Sequence, residues 1–254
     1  MMLKYQYQHA AYDKTIVFLH GFCENSSLFN YQVEYLKQQF NVLTIDLPGF
    51  GKSNVIKNIT IHQMAEEVKT VIDYLKIKQC YLFGHSMGGY VSLAFAKKYP
   101  HLLASLGLLH STAAKDSFDR LAKRKQLIDF IQKNSPSLFY KTFFPELFFD
   151  KEANKANILD LVSNAEKSNA SGVVEAIKAM MMREESFLLL ENIDKPVFFA
   201  IGKHDNIIID TDMFNQAALC KLAEVCYLQN SNHVGMLEET AKLNKAIEDF
   251  VTRF

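Results

Sequence analysis

The stretch Tyr81-Leu82-Phe83-Gly84-His85-Ser86-Met87-Gly88-Gly89-Tyr90 decides how the chain reads. Cys80 to Phe83 forms a short apolar run with strand character, a G-x-S-x-G turn follows, and Val91 to Lys98 has the pattern of an amphipathic helix. A serine at the apex of so tight a strand-to-helix turn projects its hydroxyl outward, and Gly84 and Gly88 keep the turn free of Cβ atoms. The helix that starts there aims free backbone N–H groups and its positive dipole end at the space beside Ser86. Ser86 is the candidate nucleophile, with helix N–H groups ready for an oxyanion.

Working outward, the same strand-then-helix alternation recurs. Strands are expected at Thr15 to Leu19, Val42 to Asp46, Cys80 to Phe83 and Ala104 to Leu109, with helices at Phe29 to Gln39, Ile61 to Leu75 and Val91 to Lys98 between them. The order returns near the end with a strand at Val197 to Ile201, a helix at Met213 to Leu222, a strand at Glu224 to Leu228 and a helix at Leu237 to Phe254. Continuously apolar strands separated by helices imply an α/β fold, a mostly parallel sheet covered on both faces. Between residues 112 and 190 helical periodicity persists without a convincing strand, which predicts an all-helical insertion. The expected division is a core of residues 1–111 and 191–254 with a helical cap of residues 112–190. The insertion leaves from the carboxyl end of a strand, the side on which such sheets bind ligands, so it is expected to cover Ser86.

Composition narrows the partners. Lys plus Arg and Asp plus Glu number 28 each, so the overall balance favours neither nucleic acid nor an anionic membrane. No run approaches the ~18 apolar residues of a membrane span, and Met1 to Lys14 lacks the apolar stretch of a secretory signal, so a soluble cytoplasmic protein is expected. Cys23, Cys80, Cys220 and Cys226 show no C-x-x-C spacing, against both a zinc site and a disulfide framework. Cys80 reads as a core residue and Cys23 as a thiol in the pocket wall.

A serine hydroxyl needs a base, and the base needs an orienting partner. Asp205 follows the strand Val197 to Ile201, and His233 follows the strand Glu224 to Leu228; both lie just past carboxyl ends of strands. They are the candidate acid and base. His204 adjoins Asp205 and reads as a loop residue, Asp194 precedes its strand, and Asp210 and Asp212 suit the cap of the next helix. The turn His20-Gly21-Phe22 ends the first strand, so the backbone N–H groups of Phe22 and Met87 are the expected oxyanion donors, with His20 bracing the loop. Neither His20 nor His85 is given a direct role.

These segments, with Asp46-Leu47-Pro48-Gly49-Phe50-Gly51-Lys52-Ser53 and Asn232-His233, resemble the α/β-hydrolase family. The resemblance implies the order nucleophile, acid, histidine, met here by Ser86, Asp205 and His233, and makes Asp46 part of the scaffold. A serine at this turn sets aside the branches that use aspartate there. The Ser-x-Gly-Gly turn with a helical cap is most similar to small carboxylesterases, thioesterases and C–C bond hydrolases. Tyr90 stands where menaquinone-pathway lyases often carry arginine, which weakens that option. The implied activity is hydrolysis of an ester or related acyl bond of a small apolar molecule, with no metal or organic cofactor. The alternatives are a C–C hydrolase, thioesterase or lyase using the same triad, and a ligand-binding protein with little turnover.

The insertion carries the clues to substrate. Leu138 to Phe149 is densely aromatic and Met180-Met181-Met182 follows near its end; Phe139, Phe143, Phe144 and Met181 are the candidate wall of an apolar acyl pocket. Lys115, Arg120, Lys123, Arg124 and Lys125 form a local basic cluster. A solvated helix face accounts for it; the sharper alternative is a landing site for an acyl-carrier or coenzyme A thioester.

Overall fold

The computed structural model describes residues 2–254. Its seven strands form one sheet: β1 (Tyr5–Gln8), β2 (Thr15–Leu19), β3 (Asn41–Ile45), β4 (Cys80–His85), β5 (Leu103–Leu109), β6 (Val197–Gly202) and β7 (Ala223–Leu228), in the spatial order β1-β3-β2-β4-β5-β6-β7. All pairings are parallel except β1 with β3. β2, β3, β4 and β6 are buried along their whole length, which is why they read as unbroken apolar runs.

β1 lies in a stretch where no element was expected. Tyr5-Gln6-Tyr7-Gln8 alternates half-buried and exposed positions, as an edge strand with one covered face does, and so shows no apolar run.

The helices of the core are α1 (Asn30–Leu36), α2 (Ile61–Tyr74) and α3 (Met87–Lys98), then, after the insertion, α9 (Asp210–Ala217), α10 (Gly235–Glu238) and α11 (Thr240–Arg253). α2 shows how sequence specifies such an element. Thr60 and Gln63 form a reciprocal capping box at its start, and Ile61, Met64, Ala65, Val68, Val71 and Ile72 make one buried stripe. Each large aliphatic in that stripe contributes about 1.5–3 kcal/mol through burial. α2 packs on α3, and α3 on β4 and β5; α1 packs on α11, which leans on β7. The single terminal helix expected from Leu237 onward is two, broken at Glu239.

Between β5 and β6 the chain is helical: α4 (Phe118–Lys133), α5 (Pro136–Phe143), α6 (Lys155–Glu166), α7 (Ala170–Met181) and α8 (Phe187–Asn192). α7 seats this insertion on the loop after β3, where Gly172 meets Gly49 backbone to backbone. A Cβ on Gly172 would stand 2.5 Å from the Gly49 carbonyl oxygen. Among the described residues no helix is long and apolar enough to cross a membrane.

Candidate active site

Ser86 follows β4, the central strand, and its backbone is held at φ 48°, ψ −114°. That conformation costs a non-glycine residue about 1–3 kcal/mol, offset by the packing around it. Gly84 and Gly88 touch across the turn: a Cβ on Gly84 would lie 2.3 Å from the Gly88 carbonyl oxygen, and one on Gly88 would lie 2.2 Å from that of Leu19. The Ser86 N–H donates to the Leu109 carbonyl at 3.0 Å, and Ser111 Oγ donates to the Ser86 carbonyl at 2.7 Å.

Strand order brings the other groups to the same edge of the sheet. Asp205 follows β6 and His233 follows β7. Ser86 Oγ lies 3.0 Å from His233 Nε2, and His233 Nδ1 lies 2.9 Å and 3.1 Å from the two carboxylate oxygens of Asp205. Asp205 Oδ1 also accepts from the N–H groups of Ile207 at 2.9 Å and Ile208 at 2.8 Å. Burial opposes ionisation of this carboxyl, but His233 and His110 outweigh it and hold Asp205 well below the ordinary carboxylate range. A carboxylate facing Nδ1 keeps the proton there and leaves Nε2 free to accept from the serine.

His110, at the end of β5 between Ser86 and Asp205, is a residue the sequence reading passed over. It is fully buried at φ 48°, and its Nδ1 lies 3.1 Å from Asp205 Oδ2. The Gly235 N–H donates to its Nε2 at 3.2 Å, so Nε2 is bare and Nδ1–H is the donor to Asp205. Burial pushes the ring down to about 4 even against Asp205, so His110 is neutral near pH 7. His110, Asp205 and His233 lie close enough to hold an ion, yet each ring nitrogen already faces a hydrogen-bond partner. The one positional signal for His110 was its place at a strand's carboxyl end, the rule that singled out Asp205 and His233.

A second buried pair lies on the other side of Ser86. His85 Nδ1 faces the Leu109 carbonyl at 3.2 Å, which can only accept, and His85 Nε2 faces Glu24 Oε1 at 3.3 Å. Both rest at 1% side-chain exposure. Burial works against either charge, but each favours the other's charged form: Glu24 raises His85, and His85 lowers Glu24. Glu24 Oε2 also accepts from the Gly21 N–H at 2.7 Å, so this pair ties the loop after β2 to the Ser86 turn. His20 braces the same loop, with Nδ1 on the Gly21 carbonyl at 2.8 Å and Nε2 accepting from the Leu47 N–H at 2.9 Å. Asp46 accepts from the N–H groups of Ser26 and Lys52 at 2.8 Å and 2.9 Å. Among the described residues the N–H of Phe22 meets no acceptor within the protein.

A cavity of about 260 Å³ opens onto Ser86 and His233. Phe22, Tyr90, Leu127, Phe143, Leu147 and Met180 supply its apolar wall. Of the four side chains expected there from sequence, Phe143 lines it directly, and Phe139 stacks on Phe143 with ring centroids 4.9 Å apart. Phe144 is fully buried in packing, and Met181 does not reach the cavity, which Met180 of the same helix lines instead. Cys23 is also buried away from the cavity, its thiol pushed well up by burial.

The chain is similar to several known proteins. The 3-oxoadipate enol-lactonase 1 of Acinetobacter baylyi is 26% identical over 247 residues, 93% of this chain and 88% of that protein. A thermophilic esterase from Thermogutta terrifontis, solved with malate bound, superposes with a TM-score of 0.92 at 26% identity, covering 99% of this chain and 93% of its own. The enol-lactonase from Burkholderia xenovorans LB400 shares the fold, with a TM-score of 0.91 at 22% identity over 98% of this chain and 96% of that one. Residues 14–240 match the family model for the alpha/beta hydrolase fold, and with the sheet order and the turn at Ser86 this makes the chain a member of the alpha/beta-hydrolase family.

Proposed function

We propose that the protein is a serine hydrolase that cleaves a carboxylic ester, or a closely related acyl bond, through an acyl-enzyme. The observation that carries the reading is the unbroken relay Ser86 Oγ, His233 Nε2, His233 Nδ1, Asp205 at hydrogen-bond distances, opening onto a cavity. Ser86 Oγ attacks the acyl carbon as His233 Nε2 takes its proton. The carbonyl oxygen becomes an oxyanion, received by the N–H groups of Phe22 and Met87. Collapse breaks the bond to the leaving alcohol, which departs with the proton from Nε2. Water then repeats the sequence in reverse, giving the acid and restoring Ser86.

The related enol-lactonase and esterase act on acyl–oxygen bonds, which favours an ester over a C–C bond here. Residues 112–190 act as a cap over a core of residues 1–111 and 191–254. Phe143, Leu127, Leu147 and Met180 form the acyl wall, each buried methylene of the substrate being worth ~0.8 kcal/mol. The test is hydrolysis of p-nitrophenyl esters from acetate to palmitate by wild type and Ser86→Ala, with fluorophosphonate labelling of both. Turnover and labelling that vanish together in the variant support the reading. Esterase activity that survives Ser86→Ala removes it.

A further inference from the structure

The cavity beside Ser86 is charged on one side. Arg120, Lys123 and Arg124 line it, and Glu24, its one lining carboxylate among the described residues, is already committed to His85 and the Gly21 N–H. The three cations and Leu127 fall at positions i, i+3, i+4 and i+7 of α4, so a single helix face delivers them.

Their charges are not equally available. Arg124 is held by Asp116, Nε to Oδ2 at 2.6 Å, and Asp116 also takes Arg183 at 2.8 Å. Arg120 spends one Nη2–H on the Ile207 carbonyl at 2.6 Å and meets no carboxylate among the described residues. Lys123, exposed where it lines the cavity, has neither ion pair nor hydrogen bond among the described residues. The rest of the basic cluster lies elsewhere: Lys115 pairs with Glu185, and neither it nor Lys125 lines this cavity. Two cations without an acid thus face a cavity that is otherwise largely apolar, an arrangement that favours a bound anion.

We infer that the physiological substrate carries an anionic group, a carboxylate or a phosphate, which Arg120 and Lys123 receive while Ser86 meets the acyl carbon at the strand ends. The inference rests on the serine hydrolase reading and deepens it: the apolar wall takes the chain between the two ends. Arg120 also holds the loop that positions Asp205, through Ile207, so Lys123 is the residue to perturb.

The experiment compares mono-p-nitrophenyl glutarate with p-nitrophenyl valerate, equal in length but differing in one terminal carboxylate, and butyryl-coenzyme A with S-butyryl-N-acetylcysteamine, which lacks the phosphates. The wild type should prefer the charged member of one pair in kcat/KM, and Lys123→Glu should lower that preference about tenfold, the scale of one charge-assisted hydrogen bond. Preference within the glutarate pair identifies a carboxylate; preference within the thioester pair identifies a phosphate-bearing carrier. Equal treatment of both pairs by the wild type, or an equal effect of Lys123→Glu on charged and neutral members, overturns the inference while leaving the hydrolase reading intact. If no ester or thioester turns over, the hydrolase reading fails, and calorimetric binding of monomethyl glutarate against methyl valerate to the same protein decides the anion site alone. Tighter binding of the charged ester that Lys123→Glu abolishes supports the site, and equal binding of the two refutes it.

Discussion

His110→Asn gives the sharpest test of how the acid is held. Asparagine tolerates the φ of 48° at this position and keeps an N–H to offer Asp205, but it removes a buried ring that cannot easily be charged. In the unfolded chain this histidine titrates near its ordinary 6.5, whereas in the folded protein it is pushed down to about 4. Between those values the unfolded state binds the extra proton, so stability falls as pH falls, by about 2 kcal/mol at pH 5 and about 3 kcal/mol at pH 4. At pH 7 the variant should be the less stable protein by about 1–3 kcal/mol, because the Gly235 N–H loses its acceptor. The gap between the two proteins should then close by about 2 kcal/mol on going from pH 7 to pH 5. Urea unfolding followed by far-ultraviolet circular dichroism reads it, since the chain has no tryptophan. A gap that stays constant or widens on acidification would refute the argument that His110 is held neutral.

Two further outcomes follow from the same geometry. Asp205→Asn leaves the ring of His233 without a partner that fixes its proton on Nδ1, and kcat for a p-nitrophenyl ester should drop by about 10⁴ with the fold retained; a loss under tenfold would remove Asp205 as the orienting acid. Glu24→Gln keeps an acceptor for the Gly21 N–H but removes the carboxylate that raises His85. The wild type loses the pair's contribution to stability as pH rises through the raised His85 value, so its urea midpoint should fall between pH 6 and pH 9 by more than the variant's; parallel curves would contradict an ionised pair.

What could be read from the chain alone follows from burial. β2, β3, β4 and β6 are buried on both faces and announce themselves as apolar runs, whereas β1 contributes one covered face at an edge and reads as a polar terminus. The positions of Ser86, Asp205 and His233 were legible because each follows a strand in a turn with its own local signature. His110 was not, because its partners Asp205 and Gly235 lie 95 and 125 residues away and meet it only through the β5–β6 and α10 packing. The Glu24–His85 pair likewise depends on β2 lying beside β4. Aromatic density between Leu138 and Phe149 marked a greasy layer but could not say which side faced the cavity. In α5, Phe139 and Phe143 share one side, while Tyr140, and Phe144 just past its end, turn into packing.

Catalysis through an acyl-enzyme requires a covalent bond at Ser86. Wild-type protein mixed with p-nitrophenyl butyrate, quenched in acid within milliseconds to seconds and digested, should yield the peptide bearing Ser86 with the added mass of one butyryl group. The same peptide from Ser86→Ala should carry none. Ester turnover with no acyl adduct on Ser86, or an adduct on another residue, would contradict the mechanism.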